Sequence, residues 1–229
     1  MNKTKAFTLS FDDGVRQDVR LIEILNKYNL KATFNLSCDK ISPRCDWMAE
    51  NNVSVGYIDF KDAPKIYEGH EIACHTCNHL WINTLGDITL RDEIVRDKRT
   101  LSDIFHTDIS GIAYPFGVYD ERTIDLLKDN DFLYGRTVKE SLDFELQDNL
   151  LEFKPTCHYE HKKTMELAEK FLKLKTDELK VFYVWGHSYE FDCNNNWDEF
   201  EAFCSFISGR DDVFYGTNKE VFELQKRGE

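Results

Sequence analysis

Two short stretches of this chain concentrate residue types that do chemistry. Ser10-Phe11-Asp12-Asp13-Gly14 closes an apolar, strand-like segment. Adjacent carboxylates repel each other and lose hydration when buried together, so a strand end suits them only where a cation compensates. Successive strand residues point to opposite faces, and Gly14 would turn the chain so that both carboxylates approach one site. The plain alternative is an exposed Asp-Asp-Gly turn. The second stretch is His75-Thr76-Cys77-Asn78-His79. If it begins a helical turn, both imidazoles share one face, because positions four apart do so. Two histidines and one carboxylate make a three-ligand site with positions left for water and substrate. Such a donor set suits one divalent metal ion, zinc first, with cobalt, nickel, manganese or iron as alternatives, since N/O ligands discriminate weakly among them.

Two further stretches carry weaker signals. Tyr114-Pro115-Phe116-Gly117 is turn chemistry after a strand-like segment, and such a turn can aim the Phe116 N–H at a developing oxyanion. Trp185-Gly186-His187-Ser188-Tyr189-Glu190 follows an apolar strand-like run and offers His187 as an acid or base. Cys74 and Cys77 form a C-x2-C pair, but no second pair exists, so they read as core thiols rather than a structural zinc site. His70, His106 and His161 lie in charged surroundings and read as surface residues.

The elements that would position these residues alternate. Strand-like segments occur at 6–11, 31–36, 71–75, 111–114, 132–136, 151–154, 180–185 and 213–215, with helix-like segments at 18–28, 89–105, 121–130, 162–174, 197–208 and 217–225. In 89–105, Leu90, Ile94, Val95, Leu101, Ile104 and Phe105 form one stripe, and Thr89 with Asp92 suggests a capping box. Residues 38–60 fit neither period and read as an excursion near the site mouth. The alternation defines an α/β fold on mainly parallel strands, with seven or eight βα units that could close as a barrel or lie open as a doubly wound sheet; in either, ligands sit at the carboxyl ends of the strands. All four chemical stretches fall there. Residues 1–229 read as a single catalytic domain.

The net charge of -13 disfavours nucleic acid and anionic membranes as partners. No stretch approaches the roughly 18 apolar residues that span a bilayer, and the start lacks a secretory pattern. With an odd number of cysteines, seven, this points to reduced thiols and a cytoplasmic location. The oligomeric state is left open.

These motifs, in this order, resemble the polysaccharide deacetylases, also called the NodB-homology domain or carbohydrate esterase family 4. Ser10–Gly14 resembles that family's (T/S)FDDG motif, and His75–His79 its H-(S/T)-x-x-H. Tyr114–Gly117 and Trp185–His187 fall where the family places its Pro-aromatic-Gly turn and its last histidine. The resemblance spans residues 10 to 190. It implies a distorted (β/α) barrel of about seven βα units in which Asp13, His75 and His79 hold the metal, Asp12 is the general base and His187 the general acid. The substrate would be an N-acetylated saccharide, with Tyr114, Pro115, Phe116 and Trp185 around it. One departure stands out: the family's usual Arg falls at Ala113 here, and Arg136 is the residue that could supply a guanidinium from a neighbouring strand. The partner orienting His187 is open among Asp143, Glu190 and His158. Two other functions are compatible with the motifs: hydrolysis of a cyclic imide or ureide on the same fold, and saccharide binding without catalysis.

Overall fold

The computed structural model describes residues 3–40 and 53–226. The strands are β1 (Lys5–Asp12), β2 (Ala32–Leu36), β3 (Glu71–Cys74), β4 (Gly111–Ala113), β5 (Tyr134–Arg136), β6 (Cys157–His158), β7 (Lys180–Gly186) and β8 (Val213–Tyr215). The helices are α1 (Asp18–Lys27), α2 (Ala63–Ile66), α3 (Asp87–Arg91), α4 (Asp97–Phe105), α5 (Glu121–Asp129), α6 (Thr164–Lys173), α7 (Glu190–Asn194), α8 (Trp197–Ile207) and α9 (Asn218–Lys226). Among the described residues these strands pair in parallel, in the order β5-β4-β3-β2-β1-β7-β6.

β1 is the central strand and every residue of it is buried, as expected of a parallel strand covered on both faces. Its full length pairs with β7. On the other side its second half pairs with β2 and its first half with β8. The sheet curls until residues 153–158 bridge its free edges. Phe153 N–H donates to Gly135 O and Thr137 N–H to Phe153 O, both at 2.9 Å, and Thr156 N–H donates to Tyr183 O at 2.9 Å. The result is a distorted α/β barrel.

Alternation along the strands sorts the core into two compartments. Phe7, Leu9 and Phe11 face outward into the large cluster under the helices. Ala6, Ala73, Tyr134, Val181 and Tyr183 face inward and meet Val221 and Phe222 of α9. Asn218, at the start of α9, closes the bottom of the barrel. Its Oδ1 accepts from Thr8 Oγ1 at 2.8 Å, its Nδ2 donates to Tyr183 Oη at 2.6 Å, and its N–H donates to Thr33 Oγ1 at 2.9 Å. Asp12 and Arg136 share this inward parity, so both project into the upper half of the interior.

Three local expectations fail for identifiable reasons. No strand forms at 151–154; Leu150–Glu152 is a 3-10 turn and only Phe153 makes a bridge, to Arg136. Pro155 has no N–H for a ladder, and the strand appears later, at β6. The helix expected from Thr89 begins at Asp87 behind an N-cap Gly86 without a side-chain cap, so Thr89 lies inside it and no capping box with Asp92 exists. It runs through a π segment, Asp92–Arg96, into α4. Glu93 and Asp97 lie on the buried face of this continuous helix. His70 is half-buried rather than on the surface, and its Nδ1 accepts from Ala32 N–H at 3.2 Å. Most of the excursion expected at 38–60 lies outside the described residues. The part that returns docks on the β1–α1 turn, where Arg16 N–H donates to Gly56 O and Ile58 N–H to Gly14 O.

Candidate active site

Asp12 ends β1 inside the barrel, 3% exposed. Arg136 ends β5, fully buried, and its Nη2 donates to both Asp12 carboxylate oxygens at 2.5 Å. Asn35 Nδ2 adds a hydrogen bond to Asp12 Oδ1 at 2.8 Å. Burial pushes the Asp12 carboxyl up, but Arg136, His75 and His187 together outweigh it and hold it well below the usual carboxylate range. The guanidinium also lies over the Trp185 ring, 4.5 Å from its centroid. In the β4–β5 register Arg136 is the direct neighbour of Ala113. The positive charge absent at 113 therefore arrives one strand over.

Asp13 and Gly14 leave the strand with φ of 79° and 68°. That left-handed turn swings the Asp13 carboxylate to face the two histidines. His75 Nε2 and His79 Nε2 lie 3.7 and 3.9 Å from Asp13 Oδ1. The helical turn expected at 75–79 does not form. Thr76 and His79 have φ of 61° and 55°, and His79 N–H donates to Thr76 Oγ1 at 3.1 Å, so a left-handed loop brings the imidazoles together. Buried carboxylates anchor that loop. Asp97 accepts from His75 N–H at 3.1 Å and Cys38 N–H at 2.8 Å, and Glu93 accepts from Asn78 N–H at 2.8 Å. Glu93 and Asp97 were not singled out in the sequence; their signal is a pair of acids four apart on the buried stripe of a helix. Cys74 and Cys77 are buried free thiols beside the loop.

The three ligand atoms of Asp13, His75 and His79 all lie within 4.8 Å of one another. Tetrahedral coordination at the usual zinc–nitrogen and zinc–oxygen lengths asks for about 3.3 Å between donors, so a small inward adjustment suffices. The ring orientation fits as well. His75 Nδ1 donates to Ala113 O at 2.8 Å, so Nε2 is the ring nitrogen that faces Asp13. Burial, with the neighbouring His75, pulls His79 down to about 4, so it is neutral at working pH. The residues fit a divalent cation.

His187 follows β7 with its Nε2 3.8 Å from Asp12 Oδ2 and its Nδ1 3.2 Å from Glu190 Oε2. Burial pulls this imidazole down, but Glu190, Asp13 and Asp12 more than reverse it, raising it to about 9. Glu190 Oε2 also accepts from His187 N–H at 3.1 Å and stands 3.2 Å from His158 Nε2. Of the three candidates to orient His187, Glu190 is thus in contact, His158 acts on Glu190 from behind, and Asp143 keeps to its own turn with Glu145. Ser188 Oγ donates to Asp18 Oδ1 at 2.5 Å, tying this loop to the start of α1.

These groups open into a cavity of about 640 Å³ whose walls include Asp12, Asp13, His75, His79, Phe116 and His187. Phe116 has φ of 57° in the turn after β4 and is 45% exposed. Tyr114 and Trp185 also line the cavity, but the Tyr114 hydroxyl donates to Leu151 O at 2.6 Å and Trp185 carries Arg136. Pro115, His158, Glu190 and Arg136 do not line the cavity.

With this geometry in view, comparison with known proteins defines the class. The polysaccharide deacetylase family model matches residues 1–135, and the chain belongs to that family. It is 25% identical over 136 residues to YxkH of Bacillus subtilis (strain 168), a match covering 59% of this chain and 45% of that relative's length. A Mycobacterium smegmatis crystal structure matches 100% of this chain and 92% of its own at 17% identity and a TM-score of 0.68. The Bacillus anthracis protein BA3943, a CE4 family pseudoenzyme, matches 98% of this chain and 67% of its own at 16% identity and a TM-score of 0.56. At such identities the structures share the fold alone. Because the same barrel carries a pseudoenzyme, activity has to be argued from side chains.

Proposed function

We propose that this chain removes N-acetyl groups from an N-acetylglucosamine-containing saccharide, with one divalent cation, zinc first among the candidates, held by Asp13, His75 and His79. What supports this reading is one arrangement: an N,N,O donor cup opens into the same cavity as an ionised carboxylate, Asp12, and a protonated imidazole, His187. Saccharide binding alone needs neither of the last two. A bound cation would act as a Lewis acid toward the acetamide carbonyl and the attacking water.

The remaining work falls to the chain's own groups. Asp12 accepts the proton of the water as it adds to the carbonyl carbon; Arg136 and Asn35 hold the carboxylate ionised and aimed. The Phe116 N–H, in its left-handed turn, donates to the carbonyl oxygen as negative charge grows there. His187, charged below about pH 9 and backed by Glu190, gives its proton to the departing nitrogen. The C–N bond breaks, and acetate and a free amino sugar leave.

The test is acetate release from N-acetylglucosamine oligomers, before and after chelation, beside elemental analysis of the purified protein. Metal-dependent release is expected. Turnover that survives complete metal loss, or opening of cyclic imides without acetate release from any oligomer, would refute the proposal.

A further inference from the structure

The acid and base sides of the site are joined by a closed circuit of side chains. Asp12 bonds Arg136 at 2.5 Å, the Arg136 guanidinium lies 4.5 Å over Trp185, and the His158 ring meets Trp185 edge-on at 4.8 Å. His158 Nε2 stands 3.2 Å from Glu190 Oε2, and the same oxygen stands 3.2 Å from His187 Nδ1. His187 Nε2 returns to Asp12 at 3.8 Å. Trp185 supports Arg136, and the reaction proposed above gives His158 no work.

The fold nevertheless fixes His158 before any substrate arrives. β6 pairs it with Trp185, its N–H donates to Glu140 Oε1 at 2.6 Å, and its carbonyl accepts from Thr164 Oγ1 at 3.2 Å. Gly186 leaves room for it: a Cβ there would lie 3.2 Å from His158 Nε2 and 2.3 Å from Tyr159 Cδ1. The hydrogen bonds also select the tautomer. Glu160 N–H donates to His158 Nδ1 at 3.3 Å, so Nδ1 is an acceptor and the ring proton belongs on Nε2, the nitrogen that faces Glu190. A neutral donor of this kind holds a carboxylate without competing for its charge.

We infer that His158 is a positioning residue for the proton donor: its Nε2–H holds the Glu190 carboxylate against His187 Nδ1, and so keeps the imidazolium turned toward the departing nitrogen. This rests on the deacetylase reading and deepens it by giving the donor side a third member. Glu190 needs the second hold. The His187 N–H anchors Oε2 at 3.1 Å from the near side, but a glutamate rotates about several bonds and Glu190 is partly exposed. His158 closes the far side.

The experiment measures acetate release from N-acetylglucosamine oligomers by the metal-loaded wild type, His158→Ala, His158→Gln, Glu190→Gln and His158→Ala/Glu190→Gln, with 4-nitrophenyl acetate alongside. Nitrophenolate departs without a proton, so the ester draws on the base and not on the donor. His158→Ala should lose about tenfold in kcat on the oligomers with KM little changed, and far less on the ester. His158→Gln, whose amide N–H reaches the same carboxylate, should recover most of the loss. In Glu190→Gln, removing His158 as well should cost nothing further, because both act through one contact. Equal losses on the two substrates would make His158 a structural support and overturn the inference. Losses that add in the double variant overturn it too. If wild type hydrolyses the ester but releases no acetate from any oligomer, the deacetylase reading fails; nitrogen NMR of the His158 imidazole then decides the contact by itself, a proton on Nε2 sustaining it and one on Nδ1 overturning it.

Discussion

Arg136 Nη2 bonds both carboxylate oxygens of Asp12 at 2.5 Å, across the barrel interior and across 124 positions of sequence. Arg136 is fully buried and Asp12 is only 3% exposed, at the cavity wall. Removing one partner of a buried pair costs far more than the pair itself contributes, because a charge is left unpaired in low dielectric.

Arg136→Ala should therefore lower stability by about 3 kcal/mol or more in denaturant melts. Its Asp12 carboxyl, with burial now less opposed, should titrate higher, moving the acid limb of kcat/KM upward in pH. The double variant Arg136→Ala/Asp12→Asn should melt higher than Arg136→Ala alone. If the single variant is as stable and active as wild type, the pairing has no energetic weight.

Glu190→Gln removes the negative charge facing His187 Nδ1. His187 sits near 9 because carboxylates outweigh burial, so losing one of them lowers it. As a proton donor it works only below its own pKa. The alkaline limb of the rate profile should shift to lower pH, with the acid limb unmoved. An alkaline limb that stays where it was excludes His187 as the donor paired to Glu190.

His79→Ala deletes one donor of the cup and lines the cavity with a methyl group. Bound metal measured by elemental analysis should fall from about one per chain, and acetate release by at least about a hundredfold. Excess zinc should restore part of the activity. Full metal content in this variant would place the ion elsewhere.

Asp18 is fully buried, accepts from Tyr67 Oη and Ser188 Oγ, and is raised by burial to about 7. Its folded pKa exceeds the unfolded value, so between about pH 4 and 7 the folded chain binds more protons than the unfolded one. Stability then falls as pH rises through that window and levels off above it. Metal-free wild type should lose up to about 4 kcal/mol from this group, and Asp18→Asn, isosteric and uncharged, should flatten the curve. Melts at a series of pH values decide it; equal slopes in both proteins would show that Asp18 is charged throughout.

Seven of the eight strand-like segments and all six helix-like ones have counterparts in the fold, because burial imposes a period of two on strands and 3.6 on helices. What escaped the pattern was local backbone geometry that no period encodes. A π segment interrupts the helix before α4, and Glu93 and Asp97 are buried there although their charge alone reads as solvated helix surface. The His75–His79 loop uses left-handed residues where spacing suggested a helical turn, yet the two imidazoles meet either way.

The sequence by itself determined the chemistry at hand. Asp12-Asp13-Gly14 and His75-x3-His79 fix which donors and carboxylates exist, and Asp13 with Gly14 makes the positive-φ turn that leads the chain off the strand. Which of them meet was decided by the tertiary structure. The order β5-β4-β3-β2-β1 sets Arg136 beside Ala113 and, by inward parity, opposite Asp12. Glu190 reaches His187 by local turn geometry, and His158 reaches Glu190 because β6 pairs with β7. Strand order depends on how a whole sheet curls to bury two compartments at once, and no local run of residues carries that information.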